Sequence, residues 1–253
     1  MKYYDVLSRK PCFTTDDVIS ISSNYATAMS IISRLCKANY AVKIRKGLYA
    51  CVNPATGISA ATPFQVASCI SQDSFCSHHT ALSYWGLQNQ VFSEIYVSSR
   101  IRFRPFEFEG YRYVCVLPTF KEDCGVLTPF TTPYVNVTDR ERAVLDSIKD
   151  MDKIAGFEEV FSALQILPAF NEEKALQYLP LYGTQFMWQK TGFLFSKLKE
   201  AGFKLVSDEF LEICRNNVGK SKRYLSPHLE CNAFSPEWNL YVPFTLDDKN
   251  GVN

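Results

Sequence analysis

The sequence lacks any apolar run approaching the ~18 to 20 residues that a membrane-spanning helix needs. Its first residues, MKYYDVLSRK, lack the apolar stretch of a secretory signal, so a cytoplasmic protein is expected. No CxxC pair occurs. The nine cysteines (Cys12, Cys36, Cys51, Cys69, Cys76, Cys115, Cys124, Cys214 and Cys231) are scattered. An odd count in a chain of this length argues against a disulfide scaffold, and reduced, largely core cysteines are expected. No P-loop, nucleophile elbow or dinucleotide fingerprint is present, and there is no internal repeat or low-complexity tract. Net charge is almost absent too, at +1 over 253 residues.

What is there is unevenly placed. Residues 1 to 53 carry eight Lys/Arg (Lys2, Arg9, Lys10, Arg34, Lys37, Lys43, Arg45, Lys46) against Asp5, Asp16 and Asp17. That end is therefore +5, and the remaining 200 residues sum to −4. A basic end on a near-neutral chain is the expected footprint of a phosphate-binding module. The hydrophobic fraction of 47% is enough for large cores and the length allows two domains. The 14% of aromatic residues fits either such cores or a partner surface.

Thr14 is a good N-cap with Asp17 three residues on, and Val18 and Ile19 supply the apolar contacts of a short helix over 15–20. Ser22, Ser23 and Asn24 break it, and Ser23 can cap the next helix. There Tyr25, Ala28, Ile31, Ile32 and Leu35 recur at helical spacing and are expected to face the core. Ala26, Thr27, Ser30, Ser33, Arg34 and Lys37 fall on the opposite face. Asn39 ends the helix. Val42 and Ile44 then alternate with Lys43 and Arg45, Lys46-Gly47 turns the chain, and Leu48, Tyr49 and Ala50 return. Helix, tight turn, helix and basic hairpin is the order of a winged helix-turn-helix, which predicts binding of double-stranded DNA. Small or polar residues near the start of the second helix reach base edges, so Thr27 and Ser30, with Ala26 beside them, are the candidate base contacts. Arg34, Lys37, Lys43, Arg45 and Lys46 are the candidate phosphate or minor-groove contacts. The same pattern also serves as a packing module that reads no DNA.

Residues 52–63 (VNPATGISAATP) read as a linker. Pro63 suits the first turn of a helix with Phe64, Val66, Ala67 and Ile70 on its apolar face. In SFCSHHTALSYWGL, Ser77 can cap a helix that Gly86 ends. Residues 91 to 117 alternate as strands, with Glu109-Gly110 as a hairpin turn, and 124–128 and 134–137 can add more. Helices follow from Thr138-Asp139 and over 157–167, 171–179, 184–201 and 207–216; residues 218 to 253 read as irregular with a strand or two. The expectation is an α+β chain: a winged helix-turn-helix over 1–53, then a mixed α/β C-terminal domain over 64–253 with a mainly antiparallel sheet and a helical second half.

Several constellations have two readings. Cys76, His78 and His79 lie together, but adjacent histidines point about 100° apart on a helix and closed zinc sites want four spaced ligands, so a helix start with a packed Cys is the expectation. Asp139 reads as a structural anchor at a helix start and Asp146 as a hydrogen-bond partner of the sheet domain; their alternative is a catalytic carboxylate pair. Lys220, Lys222 and Arg223 form a solvated basic loop or a second phosphate contact. Arg100, Arg102 and Arg104 alternate on an expected strand, where they can touch DNA backbone or an acidic partner, or pair with Glu94, Glu107 and Glu109.

Taken together, RKGLYACVNP, SFCSHHTALSYWGL, the β-rich middle and VTDRERAVLDSI resemble the AbiEi-type antitoxins and transcriptional regulators of bacterial abortive-infection toxin–antitoxin systems. The resemblance covers roughly residues 10 to 200. It rests most specifically on Ala81-Leu82 and Gly86-Leu87, followed by Val137-Thr138-Asp139-Arg140-Glu141-Arg142 and Leu145-Asp146. It implies binding to inverted repeats in the chain's own promoter, repression of that operon and neutralisation of a cognate nucleotidyltransferase-like toxin, much of it by the C-terminal domain. No enzymatic activity, cofactor or metal is expected. The competing classes are an interaction protein that keeps the winged helix as a scaffold, and an enzyme acting on nucleic acid.

Overall fold

The computed structural model describes residues 3–120, 123–151, 156–230 and 233–243. The chain divides into two compact units, and each is assembled from separate stretches of sequence. The first combines the N-terminal stretch through Cys76 with Phe92–Pro118 and Val126–Val137. The second holds Ser77–Val91, Thr119–Gly125 and the chain from Thr138 onward. This division does not fall at the linker over 52–63, because that linker is bonded into the first unit. Val52 bridges Ser59, the Ala60 N–H donates to the Cys51 carbonyl at 2.9 Å, and the Ser59 N–H donates to Glu109 Oε1 at 3.2 Å.

The first unit opens with α1 (Tyr4–Leu7), β1 (Cys12–Thr14), α2 (Thr15–Ser20), α3 (Tyr25–Lys37), β2 (Ala41–Arg45) and β3 (Leu48–Cys51). The strands form one antiparallel sheet in the order β1-β3-β2. α2 starts where expected, and Thr14 and Asp17 make a reciprocal capping box, worth about 1 kcal/mol for such a cap. Leu7, Phe13, Val18, Ala28, Ile31, Ile32, Leu35, Ala41, Tyr49 and Cys51 share one core. Each large aliphatic side chain buried there contributes about 1.5 to 3 kcal/mol.

A six-stranded sheet completes this unit. It comprises β4 (Phe75–Cys76), β5 (Glu94–Ser98), β6 (Phe106–Phe108), β7 (Tyr111–Val116), β8 (Val126–Leu127) and β9 (Val137–Thr138), in the order β6-β7-β5-β4-β9-β8. The sheet is mixed rather than mainly antiparallel. β5 pairs with β7 in parallel and β4 with β9 in parallel, while β6–β7 and β4–β5 are antiparallel. The parallel pair arises because residues 99–105 leave the sheet as a loop. That loop takes the place of the strand expected from the alternation in IRFRP. Pro105 lacks the N–H that a ladder needs, and β6 begins only after it, at the sheet edge. A helix α4 (Pro63–Ser68), opened by a Thr62–Gln65 capping box, packs on β4 and β5.

The second unit is mainly helical: α5 (His78–Tyr84), α6 (Arg140–Lys149), α7 (Phe157–Gln165), α8 (Glu172–Tyr178) with a 3-10 turn at Leu179–Tyr182, α9 (Gln185–Glu200) and α10 (Asp208–Asn216). Among the described residues of the irregular end are three short strands, β10 (Arg223–Tyr224), β11 (Ala233–Ser235) and β12 (Leu240–Val242), ordered β10-β12-β11. α6 is buried on every side from Glu141 to Ile148, which marks it as the central helix of this unit.

Gly192 has a packing role that its helix propensity hides. A Cβ there would lie 2.0 Å from Trp238 Cζ3, and Trp238 is fully buried. Gly192→Ala would gain about 1 kcal/mol of helix propensity in an open helix. Here the indole blocks it, and overpacking of about 1 to 3 kcal/mol sets the sign. The urea midpoint of Gly192→Ala is therefore expected to fall; a rise would show that the indole has room to move.

Candidate nucleic-acid interface

α3 begins with Asn24, not Ser23, as its cap: Asn24 Oδ1 accepts the Thr27 N–H at 2.9 Å. Ser22 and Ser23 sit in the turn, and the Ser22 hydroxyl donates to backbone carbonyls of Ile19 and Asn24. The helix closes at Asn39, whose φ of +55° is the left-handed conformation that Asn tolerates. Between these ends, Ala28, Ile31, Ile32 and Leu35 are buried, and the opposite stripe of Ala26, Ser30, Ser33, Arg34 and Lys37 is exposed. Those positions follow i, i+4, i+7, i+8 and i+11, so they lie on one face. Thr27 is half-buried at the edge of that face.

Tyr25 departs from its expected place in the core: it is 62% exposed. It occupies the first helical position, before α3 meets α2, so its spacing matches the core stripe while its location does not. A large aromatic at the exposed start of this helix belongs with the candidate interface. Helical spacing alone could not find it, although its place right after the cap could.

The hairpin is docked by backbone. The Thr15 N–H donates to the Gly47 carbonyl at 3.0 Å, and Gly47 supplies the φ of +81° that the turn requires. The β2–β3 register shifts between Lys43 and Arg45. Lys43 and Lys46 are exposed. Arg45 is half-buried, and its guanidinium lies 5.3 Å from the Phe103 ring centre and 5.4 Å from that of Phe106, within cation–π range. The structure thus brings Ala26, Ser30, Arg34 and Lys37 onto one helix face and Lys43 and Lys46 onto the hairpin, with Arg45 turned toward residues 103–106.

The acidic candidates lie in the second unit and are occupied. Asp139 caps α6 by accepting the Arg142 N–H at 3.0 Å. It also accepts from Tyr178 Oη at 2.8 Å and Lys174 Nζ at 3.1 Å. Asp146 accepts from Tyr182 Oη at 2.8 Å and lies 3.5 Å from Arg142 Nε. Its partner is therefore the turn after α8 rather than the sheet. Arg142 is 1% exposed; it donates to the Cys124 carbonyl and stacks over Phe120 at 4.3 Å. Burial, then the charge and hydrogen bond of the neighbouring carboxylate (Asp139 and Asp146 respectively), push the Tyr178 and Tyr182 phenols above their usual range.

Cys76, His78 and His79 do not converge on one point. Cys76 Sγ donates to the Phe64 carbonyl at 3.7 Å, and burial pushes its thiol up to about 12. His78 Nε2 faces Asp150 at 3.4 Å, and Ser77 Oγ lies 2.8 Å from His78 Nδ1. Ser77, His78 and Asp150 repeat the order of a nucleophile–base–acid relay, yet Ser77 is fully buried. Ser77 takes the N-cap position without capping through its hydroxyl. Among the described residues no group of three His, Cys, Asp or Glu side chains is placed to hold a metal ion. Lys220, Lys222 and Arg223 are exposed, with Lys222 4.7 Å from the Phe234 ring and Arg223 6.0 Å from that of Phe186.

Two of these groups set an acid limit. Burial lowers the His79 pKa below its ordinary 6.5, and Glu159, 3.2 Å away, opposes this only in part. The unfolded chain therefore takes up this proton first, so stability falls as pH drops below about 6.5. Burial would raise Asp150, but the hydrogen bonds from His78 and Lys149 outweigh it and hold the carboxyl well below its usual range. The Asp150 contribution is complete above about pH 4 and is lost only on further acidification. Urea midpoints at pH 7.5 and pH 5.5 should differ in the parent and converge in His79→Gln. An equal pH dependence in both would remove His79 from the account.

No protein-family model matches the chain, and no curated protein matches it. Among solved structures, the crystal structure of the RV2827C protein from Mycobacterium tuberculosis is similar. The TM-score is 0.62, with 13% sequence identity over 94% of this chain and 89% of that one. At that identity the likeness shows a shared fold. Among the described residues no helix is long and apolar enough to cross a membrane.

Proposed function

We propose that residues 1 to 53 are a winged helix-turn-helix that binds double-stranded DNA, and that the protein is an antitoxin repressing its own operon. The observation that carries the DNA reading is the exposed stripe of Ala26, Ser30, Arg34 and Lys37 on α3, with Lys43 and Lys46 on the adjoining hairpin. A core helix needs no such face, and a DNA-reading helix needs small and polar groups near its start with cations further along. Thr27 and Ser30 are assigned base edges, with Ala26 beside them; Arg34, Lys37, Lys43 and Lys46 are assigned phosphates. Arg45 supports the hairpin as well as contributing charge.

The antitoxin half of the reading rests on the AbiEi resemblance, and its partner is a nucleotidyltransferase-like toxin. In this reading the buried charges of α6 give the second unit its shape, and no reaction is assigned to them. Co-expression of the chain with the candidate toxin gene from its own operon tests that half. Rescue of growth supports it, and unrelieved toxicity would leave a DNA-binding regulator alone.

A further inference from the structure

We propose that residues 99–105 are a second phosphate-contacting element of the DNA interface, in which Arg102 and Arg104 each neutralise one backbone phosphate. This rests on the DNA-binding reading above and extends it beyond the winged helix.

The loop is fixed at both ends. At its start Ser99 Oγ donates to Asp73 Oδ1 at 2.8 Å, and the Arg100 N–H donates to Asp73 Oδ2 at 2.8 Å. The Ile101 N–H returns to Ser99 Oγ at 3.0 Å. At its end Phe106 stacks on Tyr113, ring centres 4.9 Å apart, and Phe103 lies 6.0 Å from Phe106. Arg45 of the hairpin covers both rings. Arg102 and Arg104 flank Phe103, each one Cα spacing of about 3.8 Å away. They are therefore held beside the hairpin that carries Lys43 and Lys46, within the same compact unit.

Charge then points to the occupant. Arg100, Arg102 and Arg104 are all exposed. Three acids of this unit, Glu94, Glu109 and Asp73, have other partners. Glu94 holds Arg112 at 2.8 Å and accepts from Tyr96 Oη at 2.6 Å. Glu109 accepts the Ser59 N–H, and Asp73 is taken by the loop base. Glu107 is exposed and stands opposite Arg112 in the β6–β7 register, with no ion pair to Arg102 or Arg104 among the described residues. Among the described residues Arg102 and Arg104 have no ion-pair partner. Four such cations (Lys43, Lys46, Arg102, Arg104) on a preorganised surface suit a polyanion whose charges repeat along its length, which is the DNA backbone. Continuity with the hairpin favours DNA over an acidic protein, and pinning the loop beforehand removes ordering cost on binding.

The test uses the full chain, its own upstream duplex and a scrambled duplex, titrated across a salt series. Arg102→Ala/Arg104→Ala is expected to lower the log–log salt slope by about 1.8 and to weaken binding about thirtyfold at 0.15 M salt. Both duplexes should weaken equally, leaving the sequence preference intact. Arg102→Lys/Arg104→Lys is expected to restore the slope, and the Gln pair serves if the Ala pair folds poorly. Parent-like slope and affinity in the Ala or Gln pair, with the parent binding DNA, would overturn this inference alone and leave the arginines to an acidic protein surface. A parent that binds neither duplex would overturn the DNA reading and this inference with it.

Discussion

Arg34→Ala, Lys37→Ala, Lys43→Ala and Lys46→Ala combined are expected to lower DNA affinity about a thousandfold at 0.15 M salt. Each phosphate left without its cation takes about 0.9 from the log–log slope, so the slope should fall by about 3.6. All four side chains are exposed, and none belongs to the core that α3 shares with α2 and the hairpin. The fold should therefore survive, and a circular-dichroism melt matching the parent would confirm that the loss lies in binding. Thr27→Ala/Ser30→Ala should behave differently: the salt slope stays, and the preference for own over scrambled duplex falls by about 1 to 3 kcal/mol for each base edge no longer read. Loss of slope rather than preference in that pair would move Thr27 and Ser30 to the backbone.

The second large effect is on stability rather than on binding. Arg142→Met is expected to cost about 3 to 5 kcal/mol, because it strips a buried cation from a buried carboxylate. Asp146 would keep the Tyr182 hydroxyl and lose its nearest positive charge. In a chain of this size each kcal/mol is worth roughly 2 to 4 °C, so the melting temperature should drop by about 10 °C. Replacing both members, Arg142→Met/Asp146→Leu, should recover much of the loss, since a buried pair exchanged for apolar groups is often nearly neutral. A single variant that melts within about 2 °C of the parent, less than the shift expected for 1 kcal/mol, would mean that water already reaches the pair.

The sequence made the N-terminal helices and hairpin legible because each had a physical marker. Thr14 with Asp17 placed the start of α2, Asn39 the end of α3, and Lys46-Gly47 the turn. Of the five described helices after residue 138, four have a capping side chain at the start, Asp139, Asn171, Thr184 and Ser207, while α7 follows Gly156 with none. Short elements were missed. α1 has four residues and β1 three, too few for any period to register, yet β1 closes the small sheet against β3. β4 was hidden inside a stretch that reads as a helix start, and its two residues connect β5 to β9.

Pairing was the other gap. Alternation says that a segment is a strand, not which neighbour it meets or in which direction, so the parallel β5–β7 pair was beyond reach. The same limit applied to the arginines of residues 100–104. Their alternation imitated a strand, while Pro105 and the anchor of Ser99 on Asp73 made a loop. The buried partners of Asp139 and Asp146 were invisible for a related reason: Tyr178 and Tyr182 are more than thirty residues away in sequence. The candidate base and phosphate contacts needed only local spacing, and Tyr25 was misplaced where local spacing and tertiary position disagree.

The most direct test of the account is the affinity of the purified parent protein for its own upstream DNA against a scrambled duplex of equal length, measured from low to physiological salt. The account predicts tight, sequence-selective binding that weakens steeply with salt, with a slope of at least about 3.6 from the four cations of α3 and its hairpin. Equal and weak binding to both duplexes would contradict it, and would leave the exposed face of α3 as a surface for something other than DNA.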